Sequence, residues 1–206
     1  MAKLNSNLWI PSGSFRDMVF CNGKTRKPYI RAKPDKQKER SPAQVLNSLK
    51  LQTMERFLFP FKGLINEVWK DTMKKAPYDC ARSWFYHHSL IACNDTVEIL
   101  YQEVKLSQGN LAAPEILKSR LEGTVLHLEW EAKRTRTATD FSSLFLGIHN
   151  QTTEASMHTE TTALKKDERL SLILPEGFLK GTLHAYIIFL SPDRKNASPT
   201  RYIKLN

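Results

Sequence analysis

Seven short segments of alternating apolar and polar residues crowd the C-terminal half, near 114–121, 124–132, 142–149, 153–160, 168–174, 182–190 and 200–205. Turn-forming residues stand between several of them: Gly123, Asn150, Lys165-Lys166-Asp167, Glu176-Gly177 and Pro192-Asp193. Segments this short satisfy their backbone hydrogen bonds only by pairing with one another, and each apolar face then needs a second layer. The train therefore predicts an antiparallel β-sandwich.

The inward set follows from alternation. Leu126, Leu128 and Trp130 share one face of the second segment, with Val125 beside them. Leu144, Leu146 and Ile148 share a face in the third, and Leu170, Leu172 and Leu174 in the fifth. In the sixth, Ala185, Ile187 and Phe189 oppose His184, Tyr186, Ile188 and Leu190. A strand apolar on both sides needs cover on both. One face is thus expected against the helical region, joining the two into one unit.

That helical region precedes the sandwich. Ser41-Pro42-Ala43-Gln44 reads as a capping box with proline at the first helical position. Val45, Leu46, Leu49, Thr53 and Phe57 then recur at steps of three and four. Pro60 predicts a kink or restart, and Phe61, Leu64, Ile65, Val68, Trp69 and Thr72 carry the stripe to about Lys74. A third helix is expected from Asp79 to Ile91, with Trp84, Phe85 and Leu90 inward. From Val97 the period changes to two through Ile99 and Tyr101, which predicts a strand continuing toward Val104 and Leu106. The fold class is α+β, an N-terminal helical region packed on a C-terminal antiparallel sandwich. The expected divisions are 1–40 (basic, partly extended), 41–106 (helical, ending in a strand) and 107–206 (sandwich).

Charge is unevenly placed. Residues 1–40 hold 10 of the 31 Lys and Arg but 3 of the 21 Asp and Glu, so most of the chain's net charge of +10 resides there. The stretch from Lys24 to Arg40 is interrupted by Pro28 and Pro34. Lys24, Arg26, Lys27, Arg31, Lys33, Lys36, Lys38 and Arg40 are candidates for phosphate contact, because cations displace counterions from a polyanion. Tyr29 is a candidate to stack on a base. The same stretch also reads as a solvated lead-in to the first helix.

The chain carries few motifs of known chemistry. GxSxG, Walker, GxGxxG and HExxH patterns do not occur. Cys21, Cys80 and Cys93 have no zinc spacing and read as free thiols of a reducing compartment. His87 and His88 are adjacent on a helix and point about 100° apart, so they do not chelate one ion. Glu129 and Glu131 flank Trp130 about 6–7 Å apart by strand geometry and read as exposed charges, as do His158 and Glu160. Asn94, Asn150 and Asn196 each open an Asn-x-Ser/Thr triplet. No cofactor or metal is expected, nor a membrane span, since no apolar run reaches roughly 18 residues. A cytoplasmic location is expected, the N-terminus having no signal-peptide pattern.

Several pieces together resemble a family. They are the basic lead-in at Lys24–Pro34, the Ser41-Pro42-Ala43-Gln44 start, Phe61 through Ile65, and Val104 through Leu111. Leu128-Glu129-Trp130 and Leu174-Pro175-Glu176-Gly177-Phe178 leading to His184-Ala185-Tyr186 continue the likeness. Over most of its length the chain resembles an uncharacterised family of Bacteroidetes-type bacterial proteins of similar size, described only as a domain of unknown function. Where that family has a Gly- and Ser-rich hairpin, this chain has Phe15-Arg16-Asp17-Met18-Val19-Phe20. The resemblance implies no catalytic residues. The sandwich also resembles fibronectin type III or immunoglobulin-like modules through the alternation ending at Trp130. Their Leu-Pro corner has a Tyr a few residues on, whereas Tyr186 lies eleven residues after Pro175.

Three function classes follow. The first is a non-enzymatic interaction or structural protein that uses the sandwich as scaffold and an unidentified protein as partner. The alternative is a nucleic-acid-associated protein that binds phosphate through residues 24–40. The third is an enzyme whose site no motif displays, which a pocket lined by convergent polar groups would mark.

Overall fold

The computed structural model describes residues 2–3, 12–23, 26–33, 39–70, 75–93, 96–113, 115–131 and 138–205. They form two compact units, Met1–Ser41 and Pro42–Asn206. The class is α+β, with helices and antiparallel sheets.

The first unit is a four-stranded sheet in the order β1-β4-β3-β2, formed by β1 (Ala2–Lys3), β2 (Gly13–Phe15), β3 (Met18–Gly23) and β4 (Arg26–Ala32). The basic stretch expected as a lead-in is thus partly a paired strand. Pro28 is accommodated for two reasons. The β1 pairing reaches only Tyr29 and Ile30, and the β3 register shifts between Cys21 and Gly23, so no ladder bond needs the missing amide hydrogen.

The second unit begins with α1 (Pro42–Leu58), a 3₁₀ turn at Phe59–Phe61 and α2 (Lys62–Val68). Pro60 supplies the restart, having no amide hydrogen for a continuous helix. The stripe along α1 is buried only toward its end. Met54, Phe57 and Leu58 are in the core, whereas Val45 is 52% exposed. Helix α2 stops at Val68, earlier than expected. Trp69 bridges to Gln108 and the Lys70 amide donates to the Gln108 carbonyl at 2.9 Å. The end expected near Lys74 lies outside the described residues.

Helix α3 spans Pro77–His88 and also ends early. Leu90–Cys93 forms β5 and pairs with β6 (Thr96–Ile99) as a hairpin. The strand expected to run toward Leu106 gives way to a 3₁₀ turn at Tyr101–Glu103. The Glu103 carbonyl explains the turn, accepting from Trp84 Nε1 at 3.1 Å and Ser89 Oγ at 3.0 Å. These long-range bonds override the local period of two.

The remaining strands are β7 (Glu115–Glu122), β8 (Val125–Glu131), β9 (Ser143–Asn150), β10 (Ser156–Leu164), β11 (Arg169–Ile173), β12 (Leu183–Leu190) and β13 (Arg201–Leu205). They form two antiparallel sheets, β11-β8-β7 and β10-β9-β12-β13. The facing side chains make one apolar core, with Leu126, Leu128 and Trp130 on one side and Leu146, Ile187 and Phe189 on the other. Trp130 is fixed at both ends of its buried side: its Nε1 donates to the Lys165 carbonyl at 2.8 Å and its amide to the Glu168 carbonyl at 3.0 Å.

Strand β12 is buried along its whole length. Its outer residues Tyr186, Ile188 and Leu190 enter a second core with Phe57, Phe61, Ile65 and Phe85 from the helical region. Gly147 on β9 permits the approach of that region, since a Cβ there would stand 3.1 Å from the Phe61 ring. The segment from Val104 to Leu111 is the seam between the cores: Val104 and Leu106 enter the helical one, Leu111 the sandwich one. Thr200 Oγ1 accepts from the amides of Leu106 and Ser107, pinning the seam to the β12–β13 connection. No helix among the described residues is long and apolar enough to cross a membrane.

Candidate functional site

The expected phosphate-binding residues are dispersed. Lys24, Lys36 and Lys38 lie outside the described residues. Arg26 and Lys27 belong to β4. Tyr29 and Arg31 are two apart on β4 and share one face of the first sheet, with Arg31 exposed and Tyr29 half-buried. Lys33 follows the strand, exposed, its amide donating to the Asp17 carbonyl at 2.6 Å, and Arg40 is exposed just before α1. The other face carries Phe15, Met18, Phe20 and Ile30, of which Phe15 is 61% exposed.

Several of the remaining sequence candidates have structural occupations. Glu129 pairs with Lys118 at 3.5 Å, and Glu160 with Arg194 at 3.1 Å. His88 stacks on Trp84 with ring centres 4.0 Å apart, and Lys105 Nζ lies 3.6 Å from the centre of the same ring. Among the described residues no three His, Cys, Asp or Glu side chains converge to hold a metal ion. Asn150 is fully buried and closes the β9–β10 turn. Its Oδ1 accepts from the Thr152 and Thr153 amides, and its Nδ2 donates to the Phe178 and Lys180 carbonyls. That amide is not available to a sugar in the folded chain.

A cleft that sequence reasoning missed lies within the second unit. Its volume is about 520 Å³, and its walls come from α1 (Thr53, Arg56, Phe57), the hairpin and the turn after it (Val97, Glu98, Ile99, Tyr101), and the end of β9 (His149, Gln151, Glu154). Arg56 and Glu154 form an ion pair across it. His149 is only 5% exposed, packs against Phe57 with ring centres 4.8 Å apart, and bonds through Nδ1 to Ser156 Oγ at 2.9 Å. Its Nε2 has no hydrogen-bond partner among the described residues.

Behind His149 stands a second histidine. His184 lies flat against Tyr101, ring centres 3.7 Å apart at 9°, and its nitrogens bond Tyr202 Oη at 2.9 Å and Gln151 Oε1 at 3.2 Å. Burial holds both imidazoles down to about 4, with the neighbouring His184 adding to the effect on His149 and Lys204 to that on His184. Both are neutral at pH 7. Burial, and then the Glu154 carboxylate, push the Tyr101 phenol up. His149, His184 and Tyr101 come from three separate elements, so no spacing in the chain announces them. The only local signal is a histidine in each of two strongly apolar strands.

No family model matches the chain, and no curated protein matches it.

Proposed function

We propose that the chain is a non-enzymatic interaction protein of the bacterial family it resembles, built on a fibronectin type III-like scaffold. The division of the seven strands supports the scaffold reading, with the first, second and fifth in one sheet and the other four in the second. The observation that carries the function is the edge strand β11. Edge strands are ordinarily blunted by bulges and by Lys or Arg. Strand β7 has a register shift at Ile116/Lys118 with Lys118 and Arg120, and β10 has one at Glu160/Leu164. Strand β13 carries Arg201 and Lys204.

Strand β11 carries one cation, Arg169, at its start; beyond it the strand runs in unbroken register without charge and ends at Ile173, 73% exposed. The Glu168 carbonyl and the Leu174 amide both bond toward β8. By alternation the amides of Arg169, Ser171 and Ile173 face outward, a ready template for an extended partner segment. Affinity capture from the native host tests the reading. A specific protein retained at high salt, and lost with Ile173→Lys, is expected. Equal capture by wild type and Ile173→Lys refutes the edge as the contact.

A second reading rests on Tyr29 and Arg31 sharing a face of the basic sheet. There the chain associates with nucleic acid, in the cytoplasm that three unpaired cysteines suit. Binding would weaken with a log–log salt slope of roughly −0.7 per contacted phosphate on single strands. Salt-insensitive binding, or binding that survives Arg31→Ala with Tyr29→Ala, removes this reading.

A further inference from the structure

The cleft between α1, the β5–β6 hairpin and β9 has the build of a small-molecule site, and nothing in the edge-strand reading uses it. Its volume falls in the range of ordinary ligand pockets, which combine apolar walls with a few convergent polar groups. Phe57, Val97 and Ile99 supply the apolar wall and Tyr101 an aromatic ring with a polar end. His149 is a buried polar side chain on the lining with one nitrogen unengaged among the described residues.

Charge selects the ligand class. Glu98 and Glu154 line the cleft against a single cation, Arg56, and that cation is largely solvent-exposed, 74% by side chain. The cleft is therefore locally acidic on a chain whose net charge is +10. The two carboxylates favour a cation, because opposite charges attract more strongly where walls partly exclude water. An anion would meet two carboxylates and a guanidinium already engaged with one of them.

We propose that this cleft binds a small organic ammonium ion, a protonated amine on an apolar body. The apolar body lies against Phe57, Ile99 and Tyr101, and the ammonium lies between Glu98 and Glu154. His149 Nε2 offers the ligand a hydrogen bond at the floor. Arg56 competes with the ligand for Glu154, so it acts as a restraint on affinity.

Three probes with one ring system and a two-carbon arm separate the possibilities: tryptamine, indole-3-propionate and the neutral tryptophol. Binding to the full chain is followed by titration calorimetry and by the imidazole resonances of His149. Tryptamine is expected to saturate, to shift those resonances, and to bind at least tenfold more tightly than either of the others. Glu98→Gln with Glu154→Gln should weaken tryptamine tenfold or more. Arg56→Ala alters an exposed side chain and should tighten it severalfold, a change that loss of folding would not produce. Equal or tighter binding of indole-3-propionate overturns the proposal, as does the failure of tryptamine to shift His149. Weaker tryptamine binding by folded Arg56→Ala also overturns it. None of these outcomes bears on Ile173, so this site and the edge strand stand or fall separately.

Discussion

Asn150 shows how much one side chain can organise. It holds the Thr152 and Thr153 amides and the Phe178 and Lys180 carbonyls, joining two stretches of chain to the end of β9. Asn150→Ala removes the partner of all four groups and empties a buried site, although water reaches the exposed Thr152, Thr153 and Lys180 and replaces part of the loss. A net loss of about 1–3 kcal/mol is expected in urea unfolding, with an unchanged m-value. The buried histidines act through protons instead. In the folded chain His149 and His184 stay neutral down to about 4, whereas in the unfolded chain they take protons near the ordinary 6.5. Unfolding therefore takes up protons in that window. Their contribution is complete above pH 6.5 and is lost as pH falls toward 4, by at most about 1.4 kcal/mol per pH unit for each proton. Urea midpoints at pH 7.5, 6 and 5 check the trend, and His184→Gln should flatten it.

At the scale of elements, packing corrects the local pattern. Helix α3 stops short of its periodic reach where Leu90 pairs with Ile99 in the hairpin, and the segment from Val97 stops where Trp84 and Ser89 capture the Glu103 carbonyl. Strand β9 shows the reverse dependence, a local choice serving a distant contact. Gly147 faces the helical core, and any larger residue must displace Phe61 and Leu106 from a closed packing. Gly147→Ala is expected to cost about 1–3 kcal/mol by overpacking, although alanine is otherwise the better strand residue. Thermal unfolding of Gly147→Ala alone and combined with Phe61→Leu measures it. The smaller ring-free side chain should recover part of the loss.

For the whole molecule, β12 decides how many cooperative bodies unit Pro42–Asn206 contains. Its two faces belong to two cores, so neither the helices nor the sandwich retains a complete core without it. A chain of residues 42–206 should unfold in one transition, with tryptophan fluorescence and far-ultraviolet circular dichroism coincident. Two separated transitions would show that the helices and the sandwich unfold independently. The Met1–Ser41 sheet is a separate compact unit, and none of its described residues with an assigned exposure is buried.

Alternation of apolar residues settled where most strands run, and β7 through β13 begin and end within a few residues of the sequence expectation. It also placed Leu126, Leu128, Trp130, Ile187 and Phe189 inward, because a strand's period is a property of the chain itself. The double burial of β12 was legible for the same reason. The first sheet was not, since Pro28 and the surrounding charges mask a strand that only its neighbours stabilise. The cleft was not legible at all. His149, His184 and Tyr101 acquire their shared environment from strand pairing and from a turn held by distant hydrogen bonds. A histidine's neutrality and an acidic cleft on a basic chain arise from what surrounds a residue, and those surroundings exist only once the chain has closed on itself.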